Sequence, residues 1–438
     1  MSSLRMTVLG TGYLGATHAA CMAEVGFEVL GVEIDPDKLA TLSAGRVPFF
    51  EPGLEEILAR NIEAGRLRFT GSYAEAAAFG DVHFLCVGTP QKHGEMAADM
   101  TYVDGCVDML LAELDRPTLV VGKSTVPAGT AQRIADRIDA EAPPGTALAW
   151  NPEFLREGYA VEDTLRPDRL VVGTRRPQDL ATMREVYAPL LAAGVPMVET
   201  DFATAELVKV AANAFLATKI SFINAMAEVC EATGADVTML SKALSHDTRI
   251  GGRFLNAGLG FGGGCLPKDI RAFMARAGEL GVDQALSFLR EVDAINLRRR
   301  ARVVDLGREL LDGSFAGAQV AVLGAAFKPD SDDIRDSPAL DVAATIARQG
   351  GRVTVYDPKA VANARRKHPE LAYAESTTDA LRGADLTLLL TEWREFRDID
   401  PAAAKTIVAA PRMVDGRNAL DPDSWRAAGW TYRALGRP

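Results

Sequence analysis

A single cysteine closes a glycine run in G-F-G-G-G-C-L-P-K-D, Gly260 to Asp269. A lysine and an aspartate follow Cys265 at three and four residues. Glycine neighbours predict an open approach to the sulfur. A nearby ammonium favours the thiolate, the form that attacks carbonyl carbon. A nucleophilic thiol beside a carboxylate points to chemistry through a covalent thio-adduct. Upstream, A-E-L-V-K-V-A-A-N-A-F sets Lys209 and Asn213 four apart, on one face of a helix among apolar residues. Buried there without partners they would be costly; the plainer alternative is a lysine snorkelling to a wet surface.

Near the N-terminus, T-V-L-G-T-G-Y-L-G reads as strand, tight turn and helix start. A helical stretch follows, then a second strand, E-V-L-G-V-E. In that setting Gly10, Gly12 and Gly15 form a dinucleotide fingerprint. Gly10 permits the turn, Gly12 admits a pyrophosphate, and Gly15 lets helix and strand pack closely. Glu33 and Asp35 compete to bind the adenosine ribose. Either repels a 2′-phosphate, which favours NAD over NADP. Two later strands end in V-G-T-P and K-S-T-V-P, so Thr89 and Thr125 are candidates at the sheet's ligand edge or simple strand-end caps. In W-N-P-E-F-L-R-E-G, Glu153 and Glu157 lie four apart and read as acids on one face of a helix start.

These groups need a scaffold, and the rest of the chain supplies its outline. Its 438 residues exceed one ordinary domain. Composition is that of a soluble globular protein, 48% hydrophobic and 24% charged, and no apolar run is expected to reach the length of a membrane span. No signal peptide is expected, because the buried-strand pattern begins almost at once. A net charge of -11 argues against nonspecific nucleic-acid binding, while leaving anionic small substrates open. The five cysteines lack metal-ligand or disulfide spacing, as in a reducing cytoplasm. Residues 203–245 and about 269–311 read as helical, the latter interrupted near Gly281. After Gly313 strands return at 319–324, 352–356 and 386–390, with a helix over 338–348. The second half has G-A-A-F-K where the first has its fingerprint. Lys328 there suggests phosphate binding by charge. The expected fold class is α/β: two Rossmann-like domains joined by a central helical region. The expected boundaries are 1–200, 201–312 and 313–438.

Seven motifs in order carry a resemblance over nearly the whole chain: G-T-G-Y-L-G, V-G-T-P, K-S-T-V-P-A-G-T, N-P-E-F-L-R-E-G, A-E-L-V-K-V-A-A-N-A-F-L-A, F-G-G-G-C-L-P-K-D and F-K-P-D-S-D-D-I-R-D-S. The chain resembles the UDP-glucose/GDP-mannose dehydrogenase family. The resemblance implies four-electron oxidation of a nucleotide-sugar C6 alcohol to a carboxylate, with two NAD in succession and a thiohemiacetal and thioester on Cys265. It implies that Lys209 stabilises oxyanion charge or moves a proton, that Asn213 hydrogen-bonds the same oxygen, and that Asp269 orients water or accepts a proton. Thr125 and Glu153 match positions for proton transfer or water activation. Cofactor contacts implied are Gly10, Gly12, Tyr13, Leu14, Gly15, Glu33, Lys38, Thr89, Thr125, Glu157 and Arg335. Sugar-nucleotide contacts implied are Glu153, Phe154, Leu155, Lys209, Asn213, Phe254, Leu255, Asn256, Gly258, Gly262 and Lys328. Arg249 matches an arginine that reaches into a neighbouring subunit, implying at least a dimer. No metal site is implied. Two departures stand out: Glu33 where the family usually has aspartate, and Gly264 where it commonly has serine. The expectation at Gly264 is a lost hydroxyl and added flexibility beside the nucleophile.

Overall fold

The computed structural model describes residues 4–438. The chain divides into two compact units. The first runs to Ala212 and takes in Arg271–Gly281; the second comprises Asn213–Ile270 and Val282–Pro438. The helical middle of the chain is thus shared between them.

The first unit is built on eight strands: β1 (Arg5–Leu9), β2 (Glu28–Val32), β3 (Leu67–Thr70), β4 (Val82–Leu85), β5 (Leu119–Gly122), β6 (Ala147–Trp150), β7 (Leu170–Thr174) and β8 (Met197–Thr200). Their order is β3-β2-β1-β4-β5-β6-β7-β8, parallel except for the antiparallel β6–β7 pair. Strands such as β4 and β5 are buried throughout, as expected where helices cover both faces of a parallel sheet. Chain order reverses between β1 and β4, the switch point where such sheets bind ligands. The helix Tyr13–Val25 leaves β1 there and stops at Gly26, whose φ of 115° is left-handed.

The second unit holds six parallel strands: β9 (Gln319–Leu323), β10 (Arg352–Tyr356), β11 (Ala372–Tyr373), β12 (Leu386–Leu389), β13 (Arg412–Asp415) and β14 (Thr431–Ala434). They are ordered β11-β10-β9-β12-β13-β14, again a Rossmann-like sheet. Its core joins Val322, Leu323, Leu388 and Leu389 to Val303 and Phe315.

Three sequence expectations need correction. Residues 203–245 form two helices, Phe202–Thr233 and Val237–Ser245; Gly234 (φ 76°) ends the first and Asp236 caps the second. Residues 151–156 are irregular and the next helix is Ala160–Leu165, so Glu153 and Glu157 share no helix face. Pro152 and buried Asn151, whose amide donates to the Val171 carbonyl, hold that stretch in loop form. Finally, Phe202–Thr233 is long and apolar enough, by length and composition, to span a bilayer. The expectation of no such segment missed it because Glu206, Lys209 and Lys219 interrupt the run. Glu206 and Lys209 are nevertheless buried, each with a protein partner.

Candidate active site

In the first unit the glycine fingerprint behaves as its spacing predicts. Gly10 has φ 83°, and a Cβ on Gly15 would stand 1.9 Å from the Gly10 carbonyl oxygen. Gly12 is different. It caps the helix Tyr13–Val25 with no side-chain acceptor, no acid in the first turn, and no atom within 4 Å of an added Cβ. That leaves helix N–H groups open to an anion. Between the competing acids the structure separates two tasks. Glu33, buried, accepts from the Thr11 hydroxyl at 3.1 Å and the Asp35 N–H at 3.0 Å, so it faces the fingerprint turn. Asp35 caps the helix Pro36–Ser43 through the N–H groups of Asp37 and Lys38, and the Lys38 ammonium lies 3.8 Å from it. The Thr89 hydroxyl donates to the Thr125 carbonyl at 2.7 Å, tying two strand-end loops together. Leu14 is half-buried beside Tyr13, and Glu157 is half-buried beside Gly158.

The same unit pairs Lys209 with Glu153 at 3.0 Å, both largely buried. Burial pushes the Glu153 carboxyl up. The charge and hydrogen bond of Lys209, the Leu155 N–H at 2.6 Å and the charge of Lys123 outweigh it, so the carboxyl sits below its ordinary range. Lys209 is therefore not a snorkelling surface lysine. Its ammonium also lies 5.5 Å from the Phe154 ring, whose face is shared with Arg169 at 3.8 Å. Lys123 is a second buried lysine, which the sequence reading passed over within its motif. Its ammonium donates to Asn151 Oδ1 at 3.0 Å, and burial pulls it below its ordinary range.

In the second unit Cys265 is exposed, while the other four cysteines are buried. Its carbonyl accepts the Asp269 N–H at 2.9 Å, opening the helix Leu266–Glu279. The thiol therefore sits at a helix N-terminus, which favours the thiolate. Asp269 is buried and takes the Asn213 amide at 2.7 Å and the Lys268 ammonium at 2.5 Å. The glycine run does not leave open space. A Cβ on Gly262 would meet the Asp336 carbonyl oxygen at 2.2 Å, one on Gly263 the Phe327 ring at 2.8 Å, and one on Gly264 the Arg335 guanidinium carbon at 2.2 Å. The glycines make room for the chain's own loop 327–336, and the expected flexibility at Gly264 gives way to contact with an arginine. Arg335 is held in turn by Asp333, with Nη2 to Oδ2 at 2.7 Å.

Other expected contacts in this unit are spread along two loops. Arg249 is exposed and paired with Asp247 at 2.6 Å. Phe254 has φ 65°, Leu255 is buried, Asn256 is exposed, and the Gly258 N–H donates to Asn224 at 2.9 Å. The Lys328 ammonium lies 5.7 Å from the Phe327 ring. Arg417, unnoticed in the sequence, is largely buried and ties these loops together. It donates to the carbonyls of Gly260 and Leu390 at 2.9 Å and of Phe327 at 3.0 Å. Asn296 pins Phe261 at both N–H and carbonyl. Asp357 accepts five N–H groups: those of Ala325, Ala326, Lys359 and Ala360 and the indole of Trp393. No single-sequence signal marks Arg417 or Asn296; Asp357 could have been found by its place at the end of the second strand of the second sheet.

Sequence models of the UDP-glucose/GDP-mannose dehydrogenase family match three stretches: its NAD binding domain over residues 4–191, its central domain over 203–298 and its UDP binding domain over 321–422. The chain belongs to this family. Among relatives in the UDP-glucose/GDP-mannose dehydrogenase family, a UDP-glucose 6-dehydrogenase of Rhizobium meliloti is 40% identical over 99% of this chain and 100% of its own. Another from Pseudomonas aeruginosa is 41% identical over 99% and 98%. A UDP-glucose dehydrogenase structure from Pyrobaculum islandicum superposes with a TM-score of 0.91 at 37% identity, covering 100% of this chain and 98% of that one. A UDP-D-ManNAc dehydrogenase from Pyrococcus horikoshii follows at 0.87 and 25%, covering 99% of both.

NAD is the cofactor, as the family's matched NAD binding domain indicates. The first unit fits it: the open N-terminus at Gly12 suits the pyrophosphate, and Glu33 suits the ribose hydroxyls. When bound, NAD supplies the electron-pair acceptor.

Proposed function

We propose that this chain oxidises the C6 alcohol of UDP-glucose to the carboxylate of UDP-glucuronate, with two NAD consumed per sugar. The observation that carries the reading is Cys265: the one exposed cysteine, set at a helix N-terminus, in a family of NAD-dependent sugar-nucleotide dehydrogenases. The alcohol gives up a hydride from C6 and a proton from its oxygen to become an aldehyde. The thiolate of Cys265 adds to the aldehyde carbon, forming a C–S bond and a thiohemiacetal. Loss of a second hydride from that carbon, and of the hydroxyl proton, gives a thioester. Water then attacks that carbon, the C–S bond breaks, and the thiol is restored with release of the carboxylate. Lys209 and Asn213 stabilise the oxyanion. Each is held in place by a carboxylate, Glu153 and Asp269 respectively. Glu153, kept ionised by its lysines, and Thr125 serve proton transfer and water activation. Asp269 orients the water or takes its proton.

Gly10, Gly12, Tyr13, Leu14, Gly15, Glu33, Lys38, Thr89, Thr125, Glu157 and Arg335 contact the cofactor in this reading. Glu153, Phe154, Leu155, Arg249, Phe254, Leu255, Asn256, Gly258, Gly262 and Lys328 contact the sugar nucleotide. The domain reading remains 1–200 for NAD, 201–312 for the helical middle with Cys265, and 313–438 for the UDP-sugar. The working form is a homodimer. On the long helix Phe215, Phe222 and Val229 are 67%, 49% and 53% exposed and repeat every seven residues, an apolar stripe suited to a second copy. Cysteines buried as thiols and one reactive thiol suit the reducing cytoplasm.

A substrate panel of UDP-glucose, GDP-mannose, dTDP-glucose and UDP-N-acetyl sugars tests the substrate, following NADH. Two NADH per UDP-glucose support the reading; one NADH, or preference for another nucleotide sugar, refutes it. Cys265→Ala should abolish carboxylate formation with NAD affinity retained. Wild-type formation of UDP-glucuronate by that variant would rule out the thioester.

A further inference from the structure

Glu51 lies outside every motif named above, in the loop segment P-F-F-E-P-G, and it is buried. Both its carboxylate oxygens are in use. Oε2 accepts the Gly158 N–H at 2.6 Å and the Tyr13 hydroxyl; Oε1 accepts the Ala160 N–H at 2.7 Å. Tyr13 is the first residue of the helix that Gly12 opens. Gly158 follows Glu157 and takes a left-handed φ of 79°. The Tyr13 hydroxyl also receives the Gly158 N–H at 3.1 Å, closing a triangle of phenol, carboxylate and backbone. Burial first, and then the Glu51 hydrogen bond and charge and the Glu157 charge, push the phenol well above its ordinary range, so Tyr13 remains a donor. The Tyr13 ring also packs against Phe49 at 5.0 Å, two residues before Glu51.

One carboxylate therefore joins two segments of the first unit that lie well apart in the chain. One is the first turn of the fingerprint helix; the other is the turn after Glu157. A lone anchor for either stretch would need only one of these bonds. We infer that Glu51 is a positioning residue for NAD: through Tyr13 and Gly158 it holds the open N–H groups after Gly12 and the backbone at Glu157 in fixed register with each other. The inference rests on the cofactor site described above.

NAD binding to the full-length protein, measured by calorimetry without sugar nucleotide, tests it. Glu51→Gln keeps the shape but turns one acceptor into a donor, setting an NH2 against an N–H or the phenol. It should weaken NAD about tenfold, the scale of one lost charge-assisted hydrogen bond. At saturating NAD its turnover should fall by less than a factor of two, so the effect appears in KM. Tyr13→Phe, which removes the link but keeps both backbone bonds to Glu51, should weaken NAD by a smaller factor. The double variant should be no weaker than Glu51→Gln alone, because both changes break one linkage. NAD affinity unchanged in both variants, with only thermal stability lowered, overturns the proposal. Should Glu51→Gln fail to fold, Tyr13→Phe decides: wild-type affinity in it overturns the proposal equally. A wild-type protein that binds no NAD would instead refute the cofactor site itself.

Discussion

Gly264→Ser restores the residue the family commonly carries, and the structure forecasts trouble. The new Cβ would lie 2.2 Å from the Arg335 guanidinium carbon and 2.4 Å from Nη1. Reaching an ordinary contact of about 3.4 Å requires the guanidinium to retreat by about 1.2 Å. That displacement breaks the grip of Asp333, which now receives Nε at 2.9 Å and Nη2 at 2.7 Å. The Arg335 side chain is 61% exposed, so the lost ion pair is worth about 1 kcal/mol of stability or less. The functional loss should be larger. If Arg335 meets the cofactor, misplacing one charged hydrogen bond costs about 1.5–3 kcal/mol, or roughly 10–100-fold in KM for NAD. Denaturant unfolding read beside steady-state NADH formation separates the two effects. In an Arg335→Ala background the serine should add nothing, since the clash has gone. A Gly264→Ser protein with wild-type KM refutes the reasoning. So does one that loses well over 3 kcal/mol of stability, which would mean the backbone gave way instead of the side chain.

The first unit should weaken in mild acid. Burial holds His18 well below its ordinary range and His83 down at about 3, so both stay neutral in the fold while the unfolded chain takes up protons near pH 6.5. The stabilisation from His83 is complete above that pH and is lost as pH falls towards 3, and His18 acts in the same direction. His83 should give up about 2 kcal/mol between pH 7.5 and 5 by unfolding titration, and His83→Asn should remove that part of the slope. Asp357→Asn leaves at least two buried N–H donors facing an amide NH2, so it should destabilise the second unit by about 3 kcal/mol in denaturant. Phe222→Glu, a charge set in the exposed stripe, should shift the protein to monomers in sedimentation; an unchanged dimer would remove the stripe from the interface.

Much of the fold was legible because its signals are local. The βαβ pattern around Gly10, Gly12 and Gly15 and the helix at 338–348 follow from turn chemistry and apolar period, and both stand in the structure. The long helix was legible in type but not in its end, since one left-handed glycine stops a run that composition would continue. At the candidate site the sequence marked Lys209, Asn213 and Asp269. It could not show that each has a partner, because Glu153 and Asp269 come from distant segments. The glycines before Cys265 were misread for the same reason. What fills the space beside a glycine lies on loop 327–336, which no spacing along the chain reveals. Arg417 escaped notice altogether: a largely buried arginine that serves three carbonyls has no sequence pattern.

The five-fold satisfied carboxylate of Asp357 has a consequence for molecules aimed at this protein. In the second sheet it fills, with the chain's own charge, the Ala325 and Ala326 N–H groups where a Rossmann turn would greet a pyrophosphate. A compound designed to mimic NAD therefore finds helix N–H groups with no side-chain cap at Gly12, and N–H groups already met by a carboxylate at Ala325 and Ala326. Selectivity between the two sheets for such a compound then begins with one carboxylate that takes up the backbone donors of the second turn.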